Sequence, residues 1–215
     1  MTVLDFHTHQ LQAHDAVISV MPAQFQPQPR LLYSVGLHPW HTADADVAEQ
    51  LQLLERAAQC PQVVAIGETG LDGLRGAPLK RQEELMRRHI SLAEAVGKPL
   101  VVHMVRTSQQ VVKLWRESAK KVPWVIHGMR GNANVARPLI EAGFYLSFGR
   151  RFNPATVLAT PPHQLLLETD DEPTLSIHTV AQQVAAVLQV SPEALEHQAA
   201  HNAAQLLIIK KGEPD

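Results

Sequence analysis

Eight short apolar runs punctuate the chain, at residues 3–6, 16–21, 31–35, 63–66, 99–102, 124–126, 144–148 and 164–167. They are rich in Val, Ile and Leu and nearly continuous, as strands covered on both faces must be. Helical patterns separate most of them. Strands alternating with helices predict βα units around a parallel sheet, and eight strands predict a (β/α)₈ TIM-like barrel. The 215 residues fit one domain, 1–215, and 45% of them are hydrophobic. That is enough for a real core and excludes a disordered chain.

The helical patterns cover 42–58, 80–97, 107–120, 132–142 and 179–188. Met86, Ile90 and Ala93 share one face of the second, and Gly97 followed by Pro99 is a helix stop and then a strand start. Ser191-Pro192-Glu193 opens a last helix with proline at its first position. Between His9 and Gly36 there is no room for full helices. Residues 10–15 are too few, and 21–30 hold Pro22, Pro27 and Pro29 without a period. A parallel connection normally takes about 10–12 residues or more. The barrel is therefore expected with its first two β–α connections reduced, and distorted or partly open there.

Lys plus Arg number 19 and Asp plus Glu 21, for a net charge of -2. That argues against coating nucleic acid by charge alone, but not against a nuclease that holds phosphate through a few groups and metals. The single cysteine, Cys60, permits no internal disulfide and suits a reducing compartment; it reads as a small side chain at a helix end. No apolar run approaches the ~18 residues of a membrane span. Asp5 and two histidines stand where a signal peptide needs Lys or Arg and then an apolar stretch. The expectation is a soluble, cytoplasmic protein with no membrane partner.

Twelve histidines are an excess, and position sorts them. His7-Thr8-His9 follows the first run, and residues two apart on a strand point the same way, as a chelate needs. Glu68 follows the fourth run, His103 the fifth, His127 the sixth, and Glu168-Thr169-Asp170 the eighth. In a barrel, the C-terminal ends of strands are where catalytic residues collect. Singly, such residues are more often core histidines, caps or ion-pair partners. Together, four histidines and two carboxylates on one side of a sheet would be costly buried polar groups without a shared purpose. A divalent-metal site is the better reading. His14, His41, His89, His163, His178, His197 and His201 show no ligand pattern.

His7-Thr8-His9, Gly36-Leu37-His38-Pro39, Gly67-Glu68-Thr69-Gly70-Leu71-Asp72, Pro99 to His103, Ile126-His127-Gly128 and Glu168-Thr169-Asp170 resemble, in order, the motifs of TatD-type metal-dependent hydrolases. The resemblance runs from about residue 3 to the end and includes Asn202. It implies a (β/α)₈ barrel, a binuclear divalent-metal site and phosphodiester cleavage, often as a deoxyribonuclease. It assigns His7, His9 and Asp170 to one metal, Glu68 to a bridge, and His103 and His127 to the other. Two cations about 3.5–4 Å apart that share a carboxylate would polarise a phosphoryl oxygen and activate water. Asp170, beside that water, is the candidate general base, and Glu68 and Asp170 are the catalytic pair. Imidazoles suit Zn²⁺, Mn²⁺ or Fe better than Mg²⁺; the family is often handled with Mg²⁺, so the metal's identity stays open.

The chain departs from the family pattern where substrate would touch. It lacks helices after His-x-His. His-x-Arg has become His103-Met104-Val105-Arg106, Cys-Phe-Ser has become Gly128-Met129-Arg130, and the last motif reads Asp170-Asp171-Glu172-Pro173. Candidate substrate contacts are His38, as a phosphate contact or acid, and Arg106 and Arg130, as phosphate clamps. Asp72 could orient a ligand or cap a turn. Trp40 could stack a base, although the core is the commoner fate of a tryptophan; Trp115 and Trp124 read as structural. Asp171 and Glu172 place negative charge beside the site and favour a small substrate. The expected substrate is DNA or a small phosphodiester. The alternative is an amidohydrolase or lactonase acting on C–N or C–O bonds; many such enzymes bridge their metals with a carboxylated lysine, and Lys98 lies at the wrong end of its strand for that.

Overall fold

The computed structural model describes residues 3–208. Its elements are β1 (Asp5–Thr8), β2 (Ala16–Val20), β3 (Leu32–Val35), α1 (Val47–Ala57), β4 (Val63–Asp72), α2 (Leu79–Val96), β5 (Leu100–Val105), α3 (Ser108–Glu117), β6 (Trp124–Ile126), α4 (Ala133–Glu141), β7 (Tyr145–Phe148), α5 (Pro154–Ala159), β8 (Leu165–Leu167), α6 (Ile177–Leu188) and α7 (Pro192–Ile208). The strands pair in chain order, all parallel, and β8 returns to β1, so the barrel is closed. Gly97 ends α2 in the left-handed conformation (φ 54°), where a residue without Cβ is unstrained. The Asn132 side chain opens α4 by accepting from the N–H groups of Asn134 and Val135. No helix among the described residues is long and apolar enough to cross a membrane.

Alternation along the strands sorts the core into two clusters. Val102, Trp124, Ile126 and Leu146 pack with Met86, Leu114, Leu139 and Val184 of the surrounding helices. The intervening positions Val17, Ala65, Val101, Val125 and Leu166 belong to a separate cluster, and so face the barrel axis. Two residues further along the inward face come Ser19, His103, His127 and Glu168. The same alternation that fills the barrel therefore lifts polar side chains to its mouth.

The expected opening near the first two connections is not there. β2 and β3 pair without a break from Val17↔Leu32 to Val20↔Val35. β1 meets β2 with a register shift between Asp5↔Ala16 and Thr8↔Ile18. The Leu4 and Asp5 N–H groups both donate to the Asp15 carbonyl, which absorbs the irregularity. The proline-rich segment after β2 does the work of a helix. Its 3₁₀ turn Pro22–Gln24 is tied to α1 where the Ala23 N–H donates to Gln50 Oε1 at 3.1 Å. Phe25 then packs edge-on against Tyr33 of β3, with centroids 5.3 Å apart. Two other differences are local. β4 continues six residues past the apolar run, through its glycine-containing motif, and α5 is a one-and-a-half-turn helix that the periodicity did not reveal.

Candidate metal centre

Glu68 is aimed by a bulge. Between β4 and β5 the pairing passes from Ile66↔Leu100 to Thr69↔Val102, three residues against two. The extra residue bends the strand and turns the Glu68 side chain into the mouth, a common use of bulges beside active sites. The flanking glycines are required by contact. A Cβ on Gly67 would lie 2.4 Å from the Val101 carbonyl oxygen, and one on Gly70 2.0 Å from that of His103.

Five imidazoles converge on this carboxylate. Oε1 faces His127 Nε2 at 2.7 Å, His103 Nδ1 at 2.9 Å and His38 Nε2 at 2.9 Å. Oε2 faces His7 Nε2 at 3.3 Å and His9 Nε2 at 3.5 Å. Asp170 Oδ1 stands 3.8 Å from His7 Nε2 and 3.9 Å from His9 Nε2. All six residues read as metal ligands, and His38 besides, thus come together. Burial would push the Glu68 carboxyl up, but His127, His103 and His38 outweigh it and hold it well below the usual carboxylate range. The converse holds at His127, where Glu68 and Glu168 overcome burial and raise the imidazole well above its ordinary value. Burial and the neighbouring His127 lower His7. At His9, burial acts downward but Glu68 and Asp170 prevail and raise it.

A layer of acceptors and donors orients these rings. Asp72 Oδ2 lies 3.3 Å from His103 Nε2 and accepts from the Trp40 indole N–H at 2.7 Å, while Oδ1 accepts from the N–H groups of Leu74 and Arg75. Asp72 therefore both orients a ligand and caps a turn. Glu168 is fully buried, accepts from the Gly128 N–H at 2.7 Å and stands 3.7 Å from His127 Nδ1. His38 has its tautomer set by the backbone. Its Nδ1 accepts from the Trp40 N–H at 3.1 Å, so in the neutral ring Nε2 carries the proton and points it at Glu68. Burial lowers the His38 pKa in spite of Glu68, which favours that neutral form.

The β1–β8 seam positions the His7, His9 and Asp170 group. The Asp170 N–H donates to the His7 carbonyl and the His9 N–H to the Asp170 carbonyl, both at 3.0 Å. Beneath them Asp5 accepts from the Thr169 N–H and hydroxyl, and the Thr169 and Thr8 hydroxyls lie 2.8 Å apart. Burial, partly offset by these Thr169 hydrogen bonds, pushes the Asp5 carboxyl up to about 7.

The centre opens into a mouth cavity of ≈ 830 Å³, the size of a small-ligand site. Arg106 and Arg130 line it, but only Arg130 touches the centre, with Nη2 3.4 Å from Asp170 Oδ2. Glu168, behind His127, is the one member of this layer that the strand-end pattern does not single out. Its signal was parity, since it lies two residues after the inward Leu166. Among the histidines without a ligand pattern, His89 is wholly buried. Its Nε2 accepts from the Leu37 N–H and its Nδ1 contacts the Leu85 carbonyl, and burial lowers its pKa to about 4. Lys98 Nζ donates to the carbonyls of Ala58 and Cys60, at the end of β5 away from the centre.

The donor set fits divalent metal. Five imidazole nitrogens crowd two carboxylate oxygens, and His7, fully buried, has no hydrogen-bond partner at either ring nitrogen. An imidazole so placed is costly unless its lone pair is used. A family model described as TatD related DNase matches residues 9–207. The chain belongs to that family. The TatD match takes in every proposed ligand except His7, which lies just ahead of it. The chain is 32% identical over 193 residues to the uncharacterized metal-dependent hydrolase YabD of Bacillus subtilis, covering 79% of this chain and 76% of YabD. It is 31% identical over 164 residues to the uncharacterized metal-dependent hydrolase BU355 of Buchnera aphidicola, covering 68% of this chain and 61% of BU355, so it spans about three fifths of that relative's length. Among solved structures, the fold matches YjjV, a TatD homolog from Escherichia coli, at a TM-score of 0.81 with 20% identity, covering 96% of this chain and 98% of that one. It also matches a TatD family hydrolase from Entamoeba histolytica, at a TM-score of 0.76 with 14% identity, covering 98% and 99%.

Proposed function

We propose that this chain is a metal-dependent phosphodiesterase, a deoxyribonuclease attacking from a 3′ end, with two divalent cations. The observation that carries the reading is the division of donors about Glu68: His7, His9 and Asp170 on the Oε2 side, His103 and His127 on the Oε1 side. Those residues would hold the two cations, with Glu68 between them. When bound, the cations supply Lewis acidity at a phosphoryl oxygen and a water that loses its proton near neutral pH.

The chain's own groups supply the rest. Asp170 is the proton acceptor, with Oδ1 turned to the centre and Oδ2 steadied by Arg130. His38 keeps its proton on Nε2, because the Trp40 N–H occupies its other nitrogen, and that N–H, which faces Glu68, would be freed for the phosphate or the departing oxygen were Glu68 engaged by the cations. Arg106 and Arg130 stand on the rim as phosphate clamps. Asp171 also lines the cavity, and its negative charge favours a small or single-ended substrate over a long duplex. The donor set suits Zn²⁺ or Mn²⁺ better than Mg²⁺.

The test sets bis-p-nitrophenyl phosphate, a 3′-labelled single-stranded oligonucleotide and a lactone panel beside one another with metal-loaded protein. Turnover of both phosphodiesters, abolished by a chelator and restored by Mn²⁺ or Zn²⁺, is expected. Turnover of lactones alone would overturn the reading in favour of the amidohydrolase or lactonase alternative.

A further inference from the structure

Trp40 is one of the few large apolar side chains left in solvent, 45% exposed, yet it is held on every available handle. Its indole N–H is bound by Asp72 at 2.7 Å and its backbone N–H by His38 at 3.1 Å. The Arg75 guanidinium lies over its ring, 4.4 Å from the centroid. The two loops that bear this pair are locked together. The Thr42 hydroxyl donates to the Pro39 carbonyl and accepts from the Ala77 N–H, and a Cβ on Gly76 would lie 2.2 Å from the Pro39 oxygen. Behind them the buried Gln82 amide donates to the carbonyls of Asp72, Arg75 and Ala77 and accepts from the Asp72 N–H.

Such bracing is wasted on a tryptophan that merely happens to be exposed. The indole lines the mouth cavity, whereas Arg75 lies outside that lining and backs the ring. His38, which touches Glu68, has its ring centroid only 4.7 Å from that of the indole. A flat group resting on Trp40 therefore sits one ring away from the centre, with the apolar Met21, Met104 and Met129 elsewhere around the cavity. We propose that Trp40, clamped by Asp72 and backed by Arg75, is the stacking platform for the nucleobase adjoining the scissile phosphate. The inference rests on the proposed function and adds the residue that receives the base.

The experiment compares thymidine 5′-monophosphate with 2-deoxyribose 5-phosphate, which carries an anomeric hydroxyl in place of the base, by calorimetric titration of metal-loaded protein. Stacking on an aromatic side chain should make the nucleotide bind roughly fivefold or more tightly. Trp40→Leu should erase that advantage and Trp40→Phe should restore most of it. Loss of metal in a variant would weaken both ligands and leave their ratio intact, so a purely structural role of the indole N–H on Asp72 does not mimic the result. Wild-type protein that binds neither ligand, or does not favour the nucleotide, overturns the platform, as does an advantage that survives Trp40→Leu. Failure of phosphodiester turnover with a retained base preference would instead count against the reading of the previous section.

Discussion

On the Oε1 side of Glu68 three imidazole nitrogens stand at 2.7–2.9 Å, whereas on the Oε2 side the nearest two stand at 3.3 and 3.5 Å. The difference follows from what lies behind each ring. His103 has Asp72 and His38 has the Trp40 N–H, while behind His127 the Glu168 carboxylate stands 3.7 Å away, close enough to act by charge. His7 has no hydrogen-bond partner at either nitrogen, and His9 is half-exposed. One half of the centre is preorganised by the layer behind it. The other is set only by the β1–β8 seam and is completed by what binds there.

Breaking the shared member should have the largest effect. Glu68→Gln is expected to lower phosphodiester turnover on the order of 10³-fold or more, since both halves depend on it; metal analysis should show both cations weakened, and retention of either at full affinity would contradict the division described here. Asp170→Asn should keep the fold, read by circular dichroism, and cost at least ~10²-fold in kcat. Activity near wild type would remove Asp170 as the base. On the two-cation proposal, the double change His7→Ala with His9→Ala should lose the cation on the Oε2 side and spare the one on the His103 and His127 side. Glu168→Gln should do the reverse, weakening the cation on the His103 and His127 side by ~10–100-fold in a Co²⁺ titration while leaving the other step in place.

The smallest effect on activity is expected behind His38. His89 is wholly buried, with a folded pKa of about 4 against an ordinary 6.5. Between those values the unfolded chain binds more protons. Stability is therefore present in full above pH 6.5, is lost as pH falls toward 4 and levels off below, for a total of ~3 kcal/mol. In His89→Gln, denaturant unfolding between pH 7 and 4 should lack that portion of the decline. An unchanged slope would mean that His89 charges freely in the folded chain.

The strands and most helices were legible because apolar runs and helical periodicity report burial directly. The first two connections are reduced, as the sequence predicts, but the barrel closes beside them for a reason that spacing does not carry. Pro22, Phe25 and Tyr33 build a cover without any period, through a 3₁₀ turn and an aromatic contact that sequence spacing does not encode. β4 outlasts its apolar run because close approach to β5 places Gly67 and Gly70, which carry no hydrophobic signal, inside the strand. The convergence of His7, Glu68, His103, His127 and Asp170 could be foreseen from strand ends alone. The contact of His38 with Glu68 could not, since it depends on the path of the loop after β3. The burial of His89 is readable in the sequence, because it falls on the face of α2 marked by Met86, Ile90 and Ala93.

The extra residue at Gly67 and Glu68 separates the aim of one side chain from the lay of the whole strand. Deleting Gly67 would let β4 pair evenly with β5, with Glu68 alone opposite Val101. Because Ile66 and Thr69 already stand against Leu100 and Val102, which are two residues apart, the side chains from Thr69 to Asp72 would keep their faces. Such a deletion would take out the bend alone: the wall beyond it would stay as it is, while the carboxylate at its foot would lose its approach to the mouth.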